Sequence, residues 1–290
     1  MNDTLDGPTA WVLAGGGSFG AIQVGMLRAL VGHGLRPDLL VGASVGAINA
    51  AYFAGAPDPD GVSRLEAIWL GLSRRALFPI AWRSLLRPQA QGGGYAVDPS
   101  GLRGLLEQHL PYPSLEQAGV PTHVVATDQL EGTAVTLSSG PAVEAVLASC
   151  AVPAVFPPVS IAGRPLIDGA VASNTPISVA VERGARRVIV LPTGFACALA
   201  EPPRGAIASA LHAITLLIAR QLSFEFEQYH GRAHIVMVPP LCPLAASPYD
   251  FSQAGALIAR AADQTRRWLA RDGLTRERPA QALLAHSHAH

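Results

Sequence analysis

The first residue with chemistry to offer is Ser44, in the run Leu39-Leu40-Val41-Gly42-Ala43-Ser44-Val45-Gly46-Ala47-Ile48. A serine hydroxyl becomes a good nucleophile only when a neighbouring base takes its proton. The spacing Gly-x-Ser-x-Gly after an apolar run, with a helical pattern following at once, predicts a nucleophile elbow: strand, sharp turn, helix. Gly42 and Gly46 carry no Cβ, so strand and helix can close around a strained serine. Ser44 would then stand at a helix N-terminus, where free N–H groups and the helix dipole favour an oxyanion. On this motif alone, a strand-to-helix turn with an incidental serine remains the alternative.

The second candidate is Gly15-Gly16-Gly17-Ser18-Phe19-Gly20, between a short apolar strand at 11–14 and a helical pattern at 21–33. A glycine loop at a helix N-terminus presents bare backbone donors and binds anions. Gly15-x-Gly17-x-x-Gly20 also matches a dinucleotide fingerprint, which requires an acidic residue at the end of the second strand. Asp38 is the acidic residue near the required distance, but it precedes the second apolar run, and that run ends on Ser44. The loop is therefore read as an oxyanion hole contributed by Gly15, Gly16 and Gly17, with a plain tight turn as the alternative.

A base is the third requirement. A carboxylate serves if it lies within ~2.6–3.2 Å of the hydroxyl and is desolvated enough to raise its pKa. Asp168-Gly169 ends a strand hairpin, where the glycine permits close approach; Asp-Gly is also a common turn pair. Asp168 is preferred as the base because Ser44 and the glycine loop accompany it. A Ser-His-Asp triad would instead draw on His109, His123, His212, His230 or His234. That arrangement normally puts the serine deeper in the chain and the histidine last.

These groups need a scaffold. Strands are expected at 11–14, 39–43, 122–127, 133–137, 159–161, 165–167, 187–191 and 233–238. Helical periodicity covers 21–33, 47–54, 62–72, 98–110, 142–151, 177–183, 206–229 and 250–271. The last helix turns Phe251, Leu257, Ile258, Ala261 and Trp268 inward. Asp98-Pro99 marks one helix start. Helices alternate with short apolar strands, which predicts an α/β three-layer sandwich with a central, mostly parallel sheet. The irregular stretch 74–94 mixes Arg74, Arg75, Arg83 and Arg87 with apolar side chains. It reads as a connecting helix with a basic face, or as a cover touching lipid and hinged at 91–94.

Composition narrows the class. Nearly half of the 290 residues are hydrophobic and 14% are charged, with formal net charge zero. Nothing here marks a nucleic-acid partner. All 21 basic residues are arginine. Cys150, Cys197 and Cys242 are odd in number and widely spaced, so no disulfide framework and no zinc pattern is expected. The N-terminal residues show no secretory pattern, and the longest apolar segment, 206–222, is interrupted by His212 and Arg220. The expectation is a cytoplasmic protein of one domain at 1–275. A frayed tail at 276–290 carries His286, His288 and His290, which fit no firm metal site.

Four blocks occur in order. They are the glycine loop at 15–20, the elbow at 42–46, Ala148-Ser149-Cys150-Ala151-Val152-Pro153 with Phe156-Pro157-Pro158, and Asp168-Gly169-Ala170 with Asn174-Thr175-Pro176. Together they resemble the patatin-like phospholipases over roughly residues 10–270, and the helix at Asp250-Phe251-Ser252 resembles the close of bacterial members. The resemblance implies a patatin-like fold and a Ser–Asp dyad. It carries the nucleophile onto Ser44, the base onto Asp168 and the oxyanion hole onto Gly15, Gly16 and Gly17. It implies a serine lipid acyl hydrolase working through an acyl-enzyme. The partners would be lipid or acyl-ester substrates, with peripheral membrane contact, no cofactor and no metal. Two departures stand out: Phe19 where many members carry Arg, and Ala43 where many carry Thr. Acyl transfer, and a non-catalytic lipid-binding protein on the same fold, are the rival outcomes.

Overall fold

A computed structural model of the protein describes residues 7–73, 95, 97–194, 205–242, 244 and 250–275. Among these, eight strands form one sheet. They are β1 (Thr9–Leu13), β2 (Leu39–Ala43), β3 (Thr122–Asp128), β4 (Ala134–Leu137), β5 (Val159–Ile161), β6 (Arg164–Asp168), β7 (Arg187–Leu191) and β8 (His234–Met237). The order is β5-β6-β3-β2-β1-β7-β8, with β4 paired to β3. The β3-β2-β1-β7-β8 portion is parallel, and the β4, β5 and β6 pairings are antiparallel.

Helices cover both faces, as a parallel sheet requires. They are α1 (Gly20–Gly32), α2 (Val45–Gly55), α3 (Pro59–Gly71), α4 (Ser100–His109), α5 (Ala142–Ser149), α6 (Ala170–Ser173), α7 (Ile177–Glu182), α8 (Ala206–Tyr229) and α9 (Ala254–Leu269). Successive strand residues point to opposite faces. Trp11, Leu13, Leu40, Ile189 and Leu191 therefore join one core with α1, α2, α3 and α9. Ala10, Val12, Val41, Val188 and Val190 join a second core with α7 and α8. Each large side chain buried this way contributes about 1.5–3 kcal/mol. This is the three-layer α/β sandwich expected from the sequence.

Several boundaries move. A 3-10 turn at Gly17–Phe19 separates the glycine loop from α1. Helix α3 begins at Pro59, because Asp58 caps it by accepting the Gly61 N–H at 2.7 Å and proline occupies its first turn. Helix α9 begins at Ala254, four residues after the expected start. The cysteine expectation is corrected: Cys242 is disulfide-bonded, while Cys150 is free and buried. Cysteine pairing follows tertiary proximity, which sequence spacing does not display. The stretch 74–94, Cys197 and the 276–290 tail lie outside the described residues. No helix among the described residues is long and apolar enough to cross a membrane.

Candidate active site

The site grows from the ends of β1, β2, β6 and β7. Strand β2 ends at Ala43, and Ser44 turns the chain into α2 with φ 54° and ψ −128°. A non-glycine residue in such a conformation costs on the order of 1–3 kcal/mol and must be held by its surroundings. The holding is visible. The Ser44 carbonyl accepts from Ala47 N at 2.9 Å, and the Ser44 N–H donates to Ser149 Oγ at 2.9 Å. Gly46 permits the tight passage, since a Cβ there would lie 2.1 Å from the Leu13 carbonyl oxygen.

Strand order brings Asp168 to Ser44. Ala43 on β2 pairs with Val125 on β3, and Asp168 on β6 pairs with Ala126, the next residue of β3. Ser44 and Asp168 thus flank β3 at one height. The Ser44 hydroxyl donates to Asp168 Oδ2 at 2.7 Å, and Ala170 N donates to Oδ1 at 2.8 Å. The Asp168 main chain is fixed as well: its N–H donates to the Ala151 carbonyl at 3.0 Å, and Thr127 Oγ1 donates to its carbonyl at 2.8 Å. Burial pushes the Asp168 carboxyl up to about 6, against the opposing pull of the Ser44 hydroxyl and the Ala170 N–H.

The glycine loop approaches from β1. Gly15 N–H donates to the Asn174 carbonyl at 3.0 Å, and Thr193 Oγ1 donates to the Gly15 carbonyl at 2.6 Å. The Gly15 amide is therefore engaged by the Asn174 main chain. The amides of Gly16 and Gly17 make no hydrogen bond among the described residues and border the same cavity as Ser44. Gly16 has φ +156°, and a Cβ there would lie 2.2 Å from Thr193 Oγ1. Behind the loop, buried Gln23 donates to the Ala14 carbonyl at 2.8 Å and the Leu191 carbonyl at 3.0 Å, tying the ends of β1 and β7 together.

Asp38 holds the far end of β2, where its carboxylate accepts Thr9 N–H at 2.7 Å. That is a structural role at the opposite end of the strand from Ser44. The histidines fall elsewhere. His109 borders the cavity from the end of α4. His123 pairs with Ser138 Oγ at 2.8 Å, and burial holds its imidazole down at about 4. His230 stacks on Phe226, and His234 Nε2 lies 3.1 Å from the Leu274 carbonyl. The His212 side chain lies outside the described residues. Among the described residues, no histidine is hydrogen-bonded to Ser44 or Asp168.

Ser44, Asp168, Gly16 and Gly17 open on a cavity of about 730 Å³. Its walls are largely apolar, including Ile48, Leu65, Leu106, Val155, Phe156 and Leu222. Phe19, the departure in the glycine loop, is one of those walls and packs against the larger core. Ile214, Leu217 and Val171 line the cavity and are also 52%, 65% and 49% exposed, so the apolar lining reaches the surface along α8 and α6. A hydroxyl on a desolvated carboxylate, two open amides and an apolar chamber together suit acyl transfer from a hydrophobic ester. No group of three or more His, Cys, Asp or Glu residues that could hold a metal ion occurs among the described residues.

Ser149, Thr193 and Gln23 were not singled out by sequence reasoning. Thr193 follows the carboxyl end of a central parallel strand, the position where ligand sites gather in open α/β sheets, and that rule could have found it. Ser149 lies inside a block quoted above, but no local pattern announces its hydrogen bonds.

Comparison with known proteins bears on the site. The family model described as "Patatin-like phospholipase" matches residues 11–181. A patatin-like phospholipase domain-containing protein of Caenorhabditis elegans is 31% identical over 190 residues, covering 63% of this chain and 13% of its own length. A lysophospholipase of Scheffersomyces stipitis is 27% identical over 187 residues, covering 64% of this chain and 12% of its own. The chain thus spans only about an eighth of these relatives. Among solved structures, VipD from Legionella pneumophila aligns at a TM-score of 0.47 and 16% identity, covering 91% of this chain and 67% of that one.

Proposed function

The chain belongs to the patatin-like phospholipase family, and from that premise we propose that it is a serine lipid acyl hydrolase with Ser44 as nucleophile and Asp168 as base. The observation that carries the reading is the 2.7 Å hydrogen bond from the Ser44 hydroxyl to Asp168 Oδ2 in the wall of the apolar cavity. In the first half-reaction Ser44 Oγ attacks the ester carbonyl carbon as its proton passes to Asp168. The carbonyl oxygen becomes an oxyanion facing the Gly16 and Gly17 amides and the first turn of α2. Collapse expels the alcohol or lyso-lipid, which takes the proton from Asp168. Water then attacks the acyl-Ser44 ester with Asp168 again as base, releasing the fatty acid and restoring the hydroxyl. An acceptor alcohol in place of water would give acyl transfer by the same step.

A dyad is preferred to a Ser-His-Asp triad because the carboxylate accepts the nucleophile's hydroxyl directly, with no imidazole between them. The exposed apolar side chains along α8 support contact with a lipid surface at the cavity mouth. An activated serine also separates an enzyme from a lipid-binding protein on the same fold. Fluorophosphonate labelling of the wild type, lost in Ser44→Ala, is the test, and a panel of short-chain esters, phospholipids and triacylglycerols then defines the acyl substrate. Wild-type protein inert to the probe and to every ester would leave the lipid-binding reading.

A further inference from the structure

Ser149 is fully buried at the end of α5, outside the groups that meet substrate in the mechanism above. Its hydroxyl is committed in both directions: it donates to the Val125 carbonyl at 2.5 Å and accepts the Ser44 N–H at 2.9 Å. Val125 is the β3 residue paired with Ala43, so this one hydroxyl ties the elbow to the strand that separates β2 from β6. The Ser149 carbonyl accepts Gly169 N–H at 3.1 Å, and the Ala151 carbonyl two residues on accepts Asp168 N–H at 3.0 Å. Helix α5 ends here, where carbonyls have no partner within the helix and are free to accept. The end of α5 thus grips the main chain beside the nucleophile through a side chain, and beside the carboxylate through two carbonyls.

We infer that Ser149 is a positioning residue that holds the strained Ser44 elbow in register with the Asp168 loop, and so sets the Ser44–Asp168 hydrogen bond. The inference rests on the dyad reading above. Its physical basis is the Ser44 backbone, whose positive φ is unfavourable for serine and persists only under several constraints. Removal of the Ser149 hydroxyl leaves the Ser44 N–H and the buried Val125 carbonyl without their partner and frees the elbow to relax. A displacement of about 1 Å between reacting groups costs roughly 10²-fold in rate. Substrate binding along the apolar walls does not depend on that register, so the loss falls on kcat. A longer Ser44–Asp168 bond also removes an interaction that holds the carboxyl down, so the acid limb of the rate profile moves to higher pH.

The test is steady-state hydrolysis of a soluble short-chain ester, with the pH profile, by purified Ser149→Ala, Ser149→Cys and Ser149→Thr proteins of the 290-residue chain. Thermal unfolding reports the folded fraction of each. Expected for Ser149→Ala is a kcat lower by roughly 10–100-fold, KM within about twofold, and an acid limb displaced upward. Ser149→Thr, which keeps the hydroxyl, recovers most of the rate, and Ser149→Cys falls between. If the alanine variant does not fold, the ordering and acid limbs of the threonine and cysteine variants carry the same comparison. Variants with wild-type kcat per folded molecule and an unmoved acid limb would overturn the inference. So would an equal loss in all three that tracks only the folded fraction. Ser44→Ala is assayed alongside: activity surviving there fells the dyad reading itself, whereas an inert Ser44→Ala with fully active Ser149 variants fells only the positioning role.

Discussion

Ser44 and Asp168 stand 124 residues apart in the chain and meet across the width of one strand, with Ser44 Oγ 2.7 Å from Asp168 Oδ2 and β3 running between their parent strands. Their separation is therefore set by the sheet, and the chemistry proposed for the pair has measurable consequences.

Asp168→Asn keeps the shape of the side chain and removes the base. Turnover should fall as severely as in Ser44→Ala, on the order of 10⁴-fold or more, because members of such a unit act together. Fluorophosphonate labelling should fall with it. A robustly active Asp168→Asn protein would transfer the base to another residue.

The same substitution should stabilise the fold at neutral pH. The folded-state carboxyl titrates at about 6, above its ordinary 3.8, so ionisation opposes folding. The penalty is fully present above about pH 6, shrinks as pH falls from 6 towards 4, and is gone below 3.8. Asp168→Asn relieves it, by up to about 3 kcal/mol at pH 8 and by almost nothing at pH 3.5. Chemical denaturation of wild type and variant at both pH values measures the difference; a variant less stable than wild type at pH 8 would contradict it.

Wild-type kcat/KM on a soluble ester should rise with pH through about 6 as Asp168 ionises, and then level. A histidine base would give a similar limb, so mutagenesis separates the two. Replacement of His109, His123, His212, His230 or His234 by Gln should leave most activity per folded molecule and leave the limb in place. His109 is the informative case, because it borders the cavity. A folded but silent His109→Gln would favour the triad.

Gly16→Val should lower kcat by roughly 10²–10³-fold, the usual effect of losing one oxyanion donor. The new side chain would meet Thr193, which holds the loop through the Gly15 carbonyl. Unchanged turnover in a folded Gly16→Val protein would reduce the glycine loop to a turn.

Phe224 is 65% exposed on α8, in helical register with Leu217 but outside the cavity lining. Phe224→Glu should weaken binding to phospholipid vesicles and lower vesicle hydrolysis about tenfold, while hydrolysis of a soluble ester stays unchanged. Vesicle co-sedimentation with paired kinetic assays checks this. Equal losses on both substrates would mark a folding defect instead.

The sequence alone determined the local features of this protein, because their causes are local. Apolar runs and helical periodicity located the strands and helices, and the glycines around Ser44 announced a strand-to-helix turn before any neighbour was known. Its limits were local too: the start of α3 moved to Pro59 through the Asp58 cap, and the 3-10 turn at Gly17–Phe19 has no periodicity to reveal it. Spacing could nominate Ser44, Gly15, Gly16, Gly17 and Asp168, but not decide which amides stay open or which side chains touch. Only the tertiary structure decided that the Gly15 amide is taken by Asn174, that Cys242 is disulfide-bonded and Cys150 free, and that the buried Ser149 hydroxyl accepts the Ser44 N–H. The physical reason is that hydrogen bonds and desolvation depend on which strands become neighbours. The β2-β3-β6 order, a property of the whole sheet, brings the Asp168 carboxylate to the Ser44 hydroxyl and takes it out of water.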